Sequence, residues 1–493
     1  MLCNMGIVAS QSFKNLITTY LGFGIGALNT LVLYVQFFED EYYGLVGFLL
    51  SAATLAMPFV AFGVQNTLIK FYSTYTGIKQ RNFMSFMLIM PLFVIIPAVV
   101  FIYFYYDQFT RFLASKNEIV EPYAYLVAII AVAMAYFEIS YAWAKTQLQS
   151  VFGNLMNEVF HRFGIMLLLI AFAFDLLSVN LFLYGVAAVY VLRMLVMMGY
   201  AFHLKRPKFR IAIPQEWQSI FKYSLLIIIA GSISVMILEI DMFMLGKLVA
   251  IENVAYYSVG IYVAAVIAVP ARAMHQILYP LTATYLNTRR FIELKDLYKK
   301  SSITLYAVSG LIFLMIICNI KSLYFLLDPA YSKGLYVVLL ISLAKLVDNL
   351  MGNNNAILFN SDYYRLVLIL GVLLVIVAVV LNLIFIPTLG INGAAIATFL
   401  ASVVYSFSKI LVVYKKFQMH PFTRETGYLT ILLLLFSFSF FFWDFQWNPI
   451  LAIGLKTAIL SSVYLLIIYK LNISSEINNW INNNLLTRKS RSE

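Results

Sequence analysis

The stretch LFLYGVAAVYVLRMLVMMGYAF, residues 181–202, contains a single charged residue, Arg193. A helix of about 20 apolar residues crosses the hydrocarbon core of a bilayer, because it satisfies its own backbone hydrogen bonds where water is absent. Hydrophobic residues make up 62% of the 493 residues and charged residues only 11%, and comparable runs recur along the whole chain. The sequence therefore predicts an integral membrane protein.

The apolar runs predict an all-α polytopic membrane protein with about fourteen transmembrane helices. The predicted spans begin near Leu16, Tyr43, Phe83, Tyr123, Arg162, Val179, Tyr223, Val254, Ser301, Gly334, Tyr364, Leu389, Gly427 and Ile450. The interval between Leu278 and Tyr298 is amphipathic and is expected to lie outside the spans. No connection is long enough for a soluble domain, since the longest on the outward side covers residues 107–122. Function must then be built from the helices, which favours a transporter and predicts that the protein is not an enzyme.

Basic residues in the connections predict the orientation of the helices. Lys and Arg cluster after even-numbered spans, as in HLKRPKFR at residues 203–210. Short connections with a positive excess lie on the cytoplasmic side of a membrane, so both termini are predicted to be cytoplasmic. The net charge of +12 fits contact with anionic lipid headgroups, and no nucleic-acid partner is expected.

The residues that carry metal and redox chemistry are sparse. The two cysteines, Cys3 and Cys318, are far apart, and the four histidines lack the spacing of metal ligands. The sequence therefore predicts no catalytic residue, no metal and no cofactor. An H⁺ or Na⁺ gradient is the expected source of energy for transport.

A weak repeat divides the predicted spans into two sets of six. Residues 12–14, SFK, open the first span, and residues 220–222, IFK, open the seventh, while a Tyr-Tyr pair opens both the second and the eighth. Six spans per copy give both copies the same orientation, so the repeat is parallel. We predict an N-terminal six-helix lobe at 1–207, a C-terminal six-helix lobe at 208–418, and two extra helices with a cytoplasmic tail at 419–493. Coincidence among Tyr-rich boundaries is the alternative.

Two stretches resemble a known family. EYYGLVGFLLSAATLAMPFVAFGVQNTLIKFYS, residues 41–73, is similar to the second span of the polysaccharide-type flippases, and PTLGINGAAIATFLASVVYSFSKILVVYKKF, residues 387–417, is similar to their twelfth. Small residues such as those at 393–395 also serve close helix packing in other membrane proteins. Taken with the span number and the repeat, the chain resembles the Wzx-type flippases of the multidrug/oligosaccharidyl-lipid/polysaccharide exporter superfamily.

This resemblance implies a function at the bacterial cytoplasmic (inner) membrane. Such flippases move a polyprenyl-pyrophosphate-linked oligosaccharide, the repeat unit of lipopolysaccharide or capsule, between leaflets by alternating access. It also implies membrane lipids, a polysaccharide polymerase and glycosyltransferases as partners. Spans thirteen and fourteen match the flippase branch better than the twelve-span drug exporters of the same superfamily, and a multidrug exporter is the alternative.

Cations inside the spans are the candidate ligands of the pyrophosphate. An arginine at the centre of a span costs about 2.5 to 3.5 kcal/mol on insertion scales, so Arg193 is expected to face a watery cavity or a counter-ion. A guanidinium also matches phosphate oxygens in paired hydrogen bonds. The candidate cations are Arg193, Lys345, Arg272, Arg162 and Lys14. Alternatives are open: Lys14, Arg162 and Lys409 lie near span ends where they can snorkel to water, and Lys345 can pair with Asp348.

Acids and aromatics in the spans complete the predicted site. The candidates for coupling to an ion gradient are Glu138, Glu239, Asp241 and Asp348, because a carboxylate that faces a cavity can bind H⁺ or Na⁺. Tyr136, Tyr141 and Trp143 surround Glu138 in the sequence and are candidates to stack on sugar rings. Ordinary packing and interfacial anchoring are the alternative for these aromatics.

The acidic triplet Glu39, Asp40 and Glu41 in the first outward connection suggests a different class of protein. Membrane glycosyltransferases place carboxylates in such a loop to hold a divalent metal or to act as a general base. Those enzymes also carry large outer loops or a soluble domain, which this chain lacks. A solvated loop is the simpler interpretation.

Overall fold

The computed structural model describes residues 2–207, 214, 216–443 and 448–482. Within these residues, thirteen helices are long and apolar enough to cross a membrane, and a 32-residue helix, Trp217–Leu248, lies between the sixth and seventh of them. We number these fourteen helices in chain order: α1 Lys14–Phe37, α2 Asp40–Val60, α3 Gly77–Phe104, α4 Glu118–Thr146, α5 Val151–Ala173, α6 Val179–Leu204, α7 Trp217–Leu248, α8 Glu252–Asn287, α9 Phe291–Leu326, α10 Pro329–Leu350, α11 Arg365–Leu389, α12 Ile391–Phe417, α13 Arg424–Phe441 and α14 Pro449–Lys470. Every predicted span corresponds to one of them, so the all-α polytopic fold is confirmed.

Helix α5 begins well before its predicted start at Arg162. Polar residues in its first turns interrupt the apolar pattern from which the start was predicted. In the structure these residues have hydrogen-bond partners on α1. The Nδ2 atom of Asn154 donates to the backbone carbonyl of Asn15 at 3.0 Å and to the hydroxyl of Thr18 at 2.5 Å. A polar helical segment is stable in this place because a neighbouring helix satisfies it.

The amphipathic interval between Leu278 and Tyr298 is helical apart from residues 288–290. Helices α8 and α9 each have 36 residues and end or begin within it. A helix of that length measures about 54 Å, whereas the hydrocarbon core is about 30 Å thick. The interval therefore forms the parts of α8 and α9 that extend past the apolar core.

Packing divides the chain into two compact units, residues 1–258 with 386–390, and residues 259–385 with 391–493. In the first unit α4 packs against α2 and α6, and in the second α10 packs against α9 and α12. The pairs α4–α6 and α10–α12 are the ones that a six-helix repeat relates to each other. The lobe boundaries at residues 207 and 418 were set by the repeat and stay a prediction.

A close approach in the first unit explains the glycine that follows the connection between α1 and α2. A Cβ atom on Gly44 would lie 2.0 Å from the backbone oxygen of Ile251, so α2 touches the connection between α7 and α8 directly. One turn further along α2, the ring of Phe48 stacks on Phe243 of α7 with centroids 5.5 Å apart. Any side chain at position 44 would separate these backbones.

The two C-terminal helices belong to the second unit and pack on α9. The hydroxyl of Tyr464 on α14 donates to the backbone oxygen of Ala307 at 2.8 Å. Leu433 on α13 approaches Gly310, where a Cβ atom would lie 2.9 Å from its side chain. These contacts fix α13 and α14 to the middle of α9.

Candidate functional site

The single arginine of α6 is buried in the first unit. Arg193 is 5% exposed, and its guanidinium carbon lies 4.1 Å from the centroid of the Phe137 ring on α4 and 4.9 Å from that of Tyr190. Its Nη1 atom is 3.4 Å from Nδ1 of His161 on α5. Within the described part of the chain its Nε atom is buried without a hydrogen-bond partner. Arg193 thus faces protein and not lipid, and its hydrogen-bonding capacity is only partly used.

The carboxylates around Arg193 are near enough to act on it electrostatically but do not form a contact pair with it. Glu138 and Glu158 both contribute to the potential at the guanidinium. Glu158 is paired instead with Arg162, with Oε2 and Nη1 separated by 3.1 Å. No ion pair within 4 Å joins Arg193 or Glu138 to another described residue. The positive charge of Arg193 is therefore balanced at a distance.

Glu138 lies one residue after the ring that covers Arg193. Its side chain is partly exposed, and the cations that act on it are Lys145 and Arg193. Lys145, two turns further along α4, is exposed and its Nζ atom lies 3.7 Å from the centroid of the Tyr141 ring. Residues 138, 141 and 145 share one face of α4, so the acid, the ring and the second cation lie in a row.

The aromatic residues near Glu138 are held by packing. Trp143 is 1% exposed and packs edge-on against Phe202, and Tyr141 is 7% exposed and lies against Gly153 of α5. Tyr136 donates its hydroxyl to the backbone oxygen of Leu88 at 3.2 Å. Contact between a sugar and Tyr141 or Trp143 would require a different arrangement of α4 and α5, and the role of all three stays a prediction.

Of the two other candidate cations of the first unit, Lys14 lies at the start of α1, whereas Arg162 lies in the middle of α5, because that helix begins at Val151 and not at the predicted start. Arg162 keeps 27% of its side chain exposed and is paired with Glu158. The pair lies against Gly22 of α1, where a Cβ atom would lie 2.9 Å from Nη1 of Arg162. Lys14 is exposed at the start of α1. The position of Lys14 suits a cation that reaches water at the membrane boundary, whereas Arg162 is held within α5 by its pair with Glu158.

The acids of α7 differ in their surroundings. Asp241 is 1% exposed and accepts a hydrogen bond of 2.5 Å from the hydroxyl of Tyr257 on α8. Glu239 is half-buried and interacts electrostatically with Asp241. Of the two, Glu239 has the carboxylate that is more available to an ion.

The second unit contains a buried ion pair that joins α10 and α12. Lys409 is 1% exposed, and its Nζ atom lies 3.6 Å from Oδ1 of Asp348 and donates to Oδ1 of Asn355 at 2.9 Å. The same nitrogen is 4.2 Å from the centroid of the Tyr405 ring. The interpretation of Lys409 as a snorkelling residue is wrong, because its ammonium has partners inside the unit and does not need to reach water.

The ion pair of Asp348 is with Lys409 of α12, and not the predicted one with Lys345 of its own helix. Asp348 keeps half of its side chain exposed and has Lys409 as an ion-pair partner, although Lys345 is nearer in sequence. Lys345 is half-buried on α10, and Arg272 is exposed on α8. Asn355 and Tyr405 were not predicted from the sequence to take part in the site. The run Asn353, Asn354 and Asn355 within an apolar region was the available signal, because buried amides need partners.

The side chains of the acidic triplet do not form a common site. Asp40 accepts a hydrogen bond of 2.9 Å from the hydroxyl of Tyr256, while Glu39 and Glu41 are exposed. Over the described residues, no three or more His, Cys, Asp or Glu side chains are grouped to hold a metal ion. The triplet thus forms the start of α2 and a link to α8 at this end of the first unit.

The fold is that of a group of membrane exporters and flippases. The chain is similar to a structure of the lipid II flippase MurJ in an inward closed conformation, with a TM-score of 0.68 and 14% identity over 93% of this chain and 99% of that one. It is also similar to an inward-facing multidrug resistance transporter of the MATE family in the MOP superfamily, with a TM-score of 0.61 and 14% identity over 80% and 94% of the two chains. No curated protein matches the sequence.

The family follows from the sequence itself. Residues 9–286, more than half of the chain, match the family model described as polysaccharide biosynthesis protein. The chain belongs to this family, and it is a multi-pass membrane protein with the fold shared by MurJ and the MATE transporters.

Proposed function

We propose that the protein moves a polyprenyl-pyrophosphate-linked oligosaccharide, a repeat unit of lipopolysaccharide or capsule, across the cytoplasmic membrane by alternating access. Membership of a polysaccharide biosynthesis family supports a saccharide substrate, and the likeness to a lipid II flippase supports a lipid-linked one. The observation that carries the proposal is Arg193, a buried guanidinium with no carboxylate within 4 Å among the described residues and with a free Nε atom.

A pyrophosphate would complete what Arg193 lacks. A guanidinium forms paired hydrogen bonds with phosphate oxygens, and such bonds are strong where water is excluded. Separation of α4 and α6 near Phe137 and Tyr190 during the transport cycle would admit the anion to Arg193. Lys345, Arg272, Arg162 and Lys14 would meet the pyrophosphate and the charged parts of the substrate along its route.

Coupling to an H⁺ or Na⁺ gradient is assigned to Glu138, with Glu239, Asp241 and Asp348 as the other candidates. Glu138 is partly exposed and has no contact ion pair in the described chain, so it can take up a cation without breaking an existing bond. Neutralising it would change the field at Arg193, which lies on the adjacent helix. Entry of the cation would then favour binding of the pyrophosphate, and departure of the cation would favour its release.

The test uses purified protein in vesicles with a fluorescent polyprenyl-pyrophosphate oligosaccharide, and ethidium as a comparison substrate. We expect the wild type to flip the lipid-linked sugar, Arg193→Ala to lose flipping, and Arg193→Lys to recover part of it, since lysine keeps the charge but not the fork. Transport of ethidium without flipping would instead support a multidrug exporter. A folded protein that flips equally well with Arg193→Ala would contradict the assigned role of Arg193.

A further inference from the structure

A polar cavity of about 480 Å³ opens at one end of the second unit, away from the buried pair of Lys409 and Asp348. Its walls come from the C-terminal ends of α8 and α12, the start of α9 and the connection before α11. Arg289, Lys416, Asp362, Tyr363 and Phe417 are among the lining side chains. The volume is within the range of small-molecule binding sites, and the lining carries charge, which sets this cavity apart from an apolar packing gap.

The two cations of the cavity have no acidic partner within the described residues. The Arg289 side chain takes part in no hydrogen bond or ion pair there, and the contact of the Lys416 ammonium is with the Tyr363 ring, 4.9 Å from its centroid. By contrast, Arg290 pairs with Glu293 at 2.8 Å, and Lys300 pairs with Asp296 at 2.8 Å. Arg290 and Lys300, which lie outside the lining, are paired, whereas the two cations inside it are available to an anion.

The chain turns sharply after α8 and after α12, and both turns contribute residues to the cavity. Arg289 has φ of +55° and Gln418 has φ of +54°, a left-handed conformation that non-glycine residues adopt rarely. Both residues line the cavity, together with the amide of Asn287. Each follows the last turn of a helix, α8 or α12, where a left-handed residue commonly ends the helix and turns the chain. The amides add hydrogen-bond donors beside the two cations.

The charge balance indicates what kind of anion fits. Two cations, Arg289 and Lys416, against one carboxylate, Asp362, leave a net charge of +1 in the lining. A phosphodiester carries a single negative charge and would neutralise the lining, whereas a doubly charged phosphate or a nucleotide would leave an excess of negative charge beside Asp362. The cavity therefore suits a monoanionic phosphodiester with hydroxyl groups for the amides.

The rim of the cavity is apolar, as a lipid ligand would require. Phe291 is 44% exposed beside Phe417, and the next residue, Ile292, is 84% exposed. Arg289 and Lys416 lie in the same lining as Phe291 and Phe417. Exposed apolar and basic side chains together are typical of a segment at the boundary between headgroups and acyl chains.

We propose that this cavity binds the headgroup of an anionic glycerophospholipid from the surrounding membrane. The phosphodiester lies between Arg289 and Lys416, the glycerol hydroxyls meet Asn287 and Gln418, and the acyl chains leave past Phe291. Basic pockets between membrane helices bind anionic lipids by this chemistry. None of the lining residues is among those assigned to the path of the transported substrate.

The test measures binding of phosphatidylglycerol and phosphatidylcholine to the purified full chain by native mass spectrometry. Arg289→Ala/Lys416→Ala should weaken phosphatidylglycerol binding by about tenfold or more, because both charge-assisted contacts are lost. The matched control, Lys295→Ala/Lys415→Ala, removes two exposed cations near the cavity but outside its lining and should bind as the wild type does. Asp362→Asn should strengthen binding severalfold, a gain that misfolding cannot produce.

Equal loss in the two double variants would overturn the proposal, since it would mean that the total charge of this end attracts the lipid. Weaker binding by Asp362→Asn would also overturn it. Inorganic phosphate supplies the last comparison. If it displaces phosphatidylglycerol at equal concentration, the cavity is a site for free anions and not for a lipid headgroup.

Discussion

Arg193 lies on α6 and Lys409 lies on α12, and these two helices occupy equivalent positions in the predicted six-helix repeat. Both cations are buried beside an aromatic ring. Their counter-charges differ. Lys409 has Asp348 at 3.6 Å and the oxygen of Asn355 at 2.9 Å, whereas Arg193 has a histidine at 3.4 Å and no carboxylate in contact among the described residues. A cation that is neutralised within its own unit holds helices together. One that is not is suited to bind an external anion.

The largest expected effect is the loss of stability in the second unit when its carboxylate is removed. Asp348→Ala leaves the Lys409 ammonium buried without its counter-ion and should lower the free energy of unfolding by about 3 kcal/mol, the low end for a broken buried pair because Asp348 is half exposed. Lys409→Met removes the charge itself and should cost about 1 kcal/mol or less. Denaturant unfolding in detergent measures both. Equal losses would remove the distinction between the two sites.

The next effect concerns transport and separates the two cations directly. Arg193→Ala should reduce flipping of the lipid-linked oligosaccharide by about tenfold to a hundredfold, the value of a hydrogen bond to a charged group. Lys409→Met, which removes the corresponding cation of the second unit, should change flipping by less than about threefold when rates are scaled to folded protein. A larger loss in Lys409→Met would place Lys409 in the translocation path.

The acids of the two sites should respond differently to an ion gradient. Glu138→Gln should remove the acceleration of flipping by an imposed H⁺ or Na⁺ gradient, because the amide takes up no proton and has no negative charge for Na⁺ to neutralise. Asp348→Asn should retain it, since Asp348 already has Lys409 as its counter-ion. Flipping rates with and without each gradient, in the same vesicles, test this. Undiminished dependence in Glu138→Gln would move the coupling site to Glu239.

The smallest effect is the contribution of the rings. Phe137→Leu should lower the free energy of unfolding by about 1 kcal/mol more than Phe202→Leu, a control that removes a ring over which no cation of the described chain lies. Tyr405→Leu should show about half of that excess or less, because Asp348 and Asn355 continue to hold Lys409. A larger excess at Tyr405 would mean that the ring, and not the carboxylate, stabilises Lys409.

The spans could be predicted from the sequence because membrane insertion depends on local apolar length, which each segment carries by itself. The exception, the start of α5, depends on partners on α1 that lie far away in the chain. The direction of each polar side chain could not be predicted. When a helix is apolar on all faces, the sequence does not show which face packs against the other helices. The burial of Lys409 and its contact with Asn355, 54 residues earlier, could therefore not be predicted from the hydrophobic pattern.

The three-residue break between α8 and α9 gives a means to determine sidedness. Residues 288–290 join two 36-residue helices and contain Arg289 and Arg290, both exposed. Exposed connections of this kind are the preferred sites of limited proteolysis, whereas a continuous helix resists it. Trypsin applied to intact vesicles would therefore cut here only where this end of the helices faces the added protease. The sizes of the resulting fragments would identify the cleavage position and report the orientation of each inserted molecule without any label.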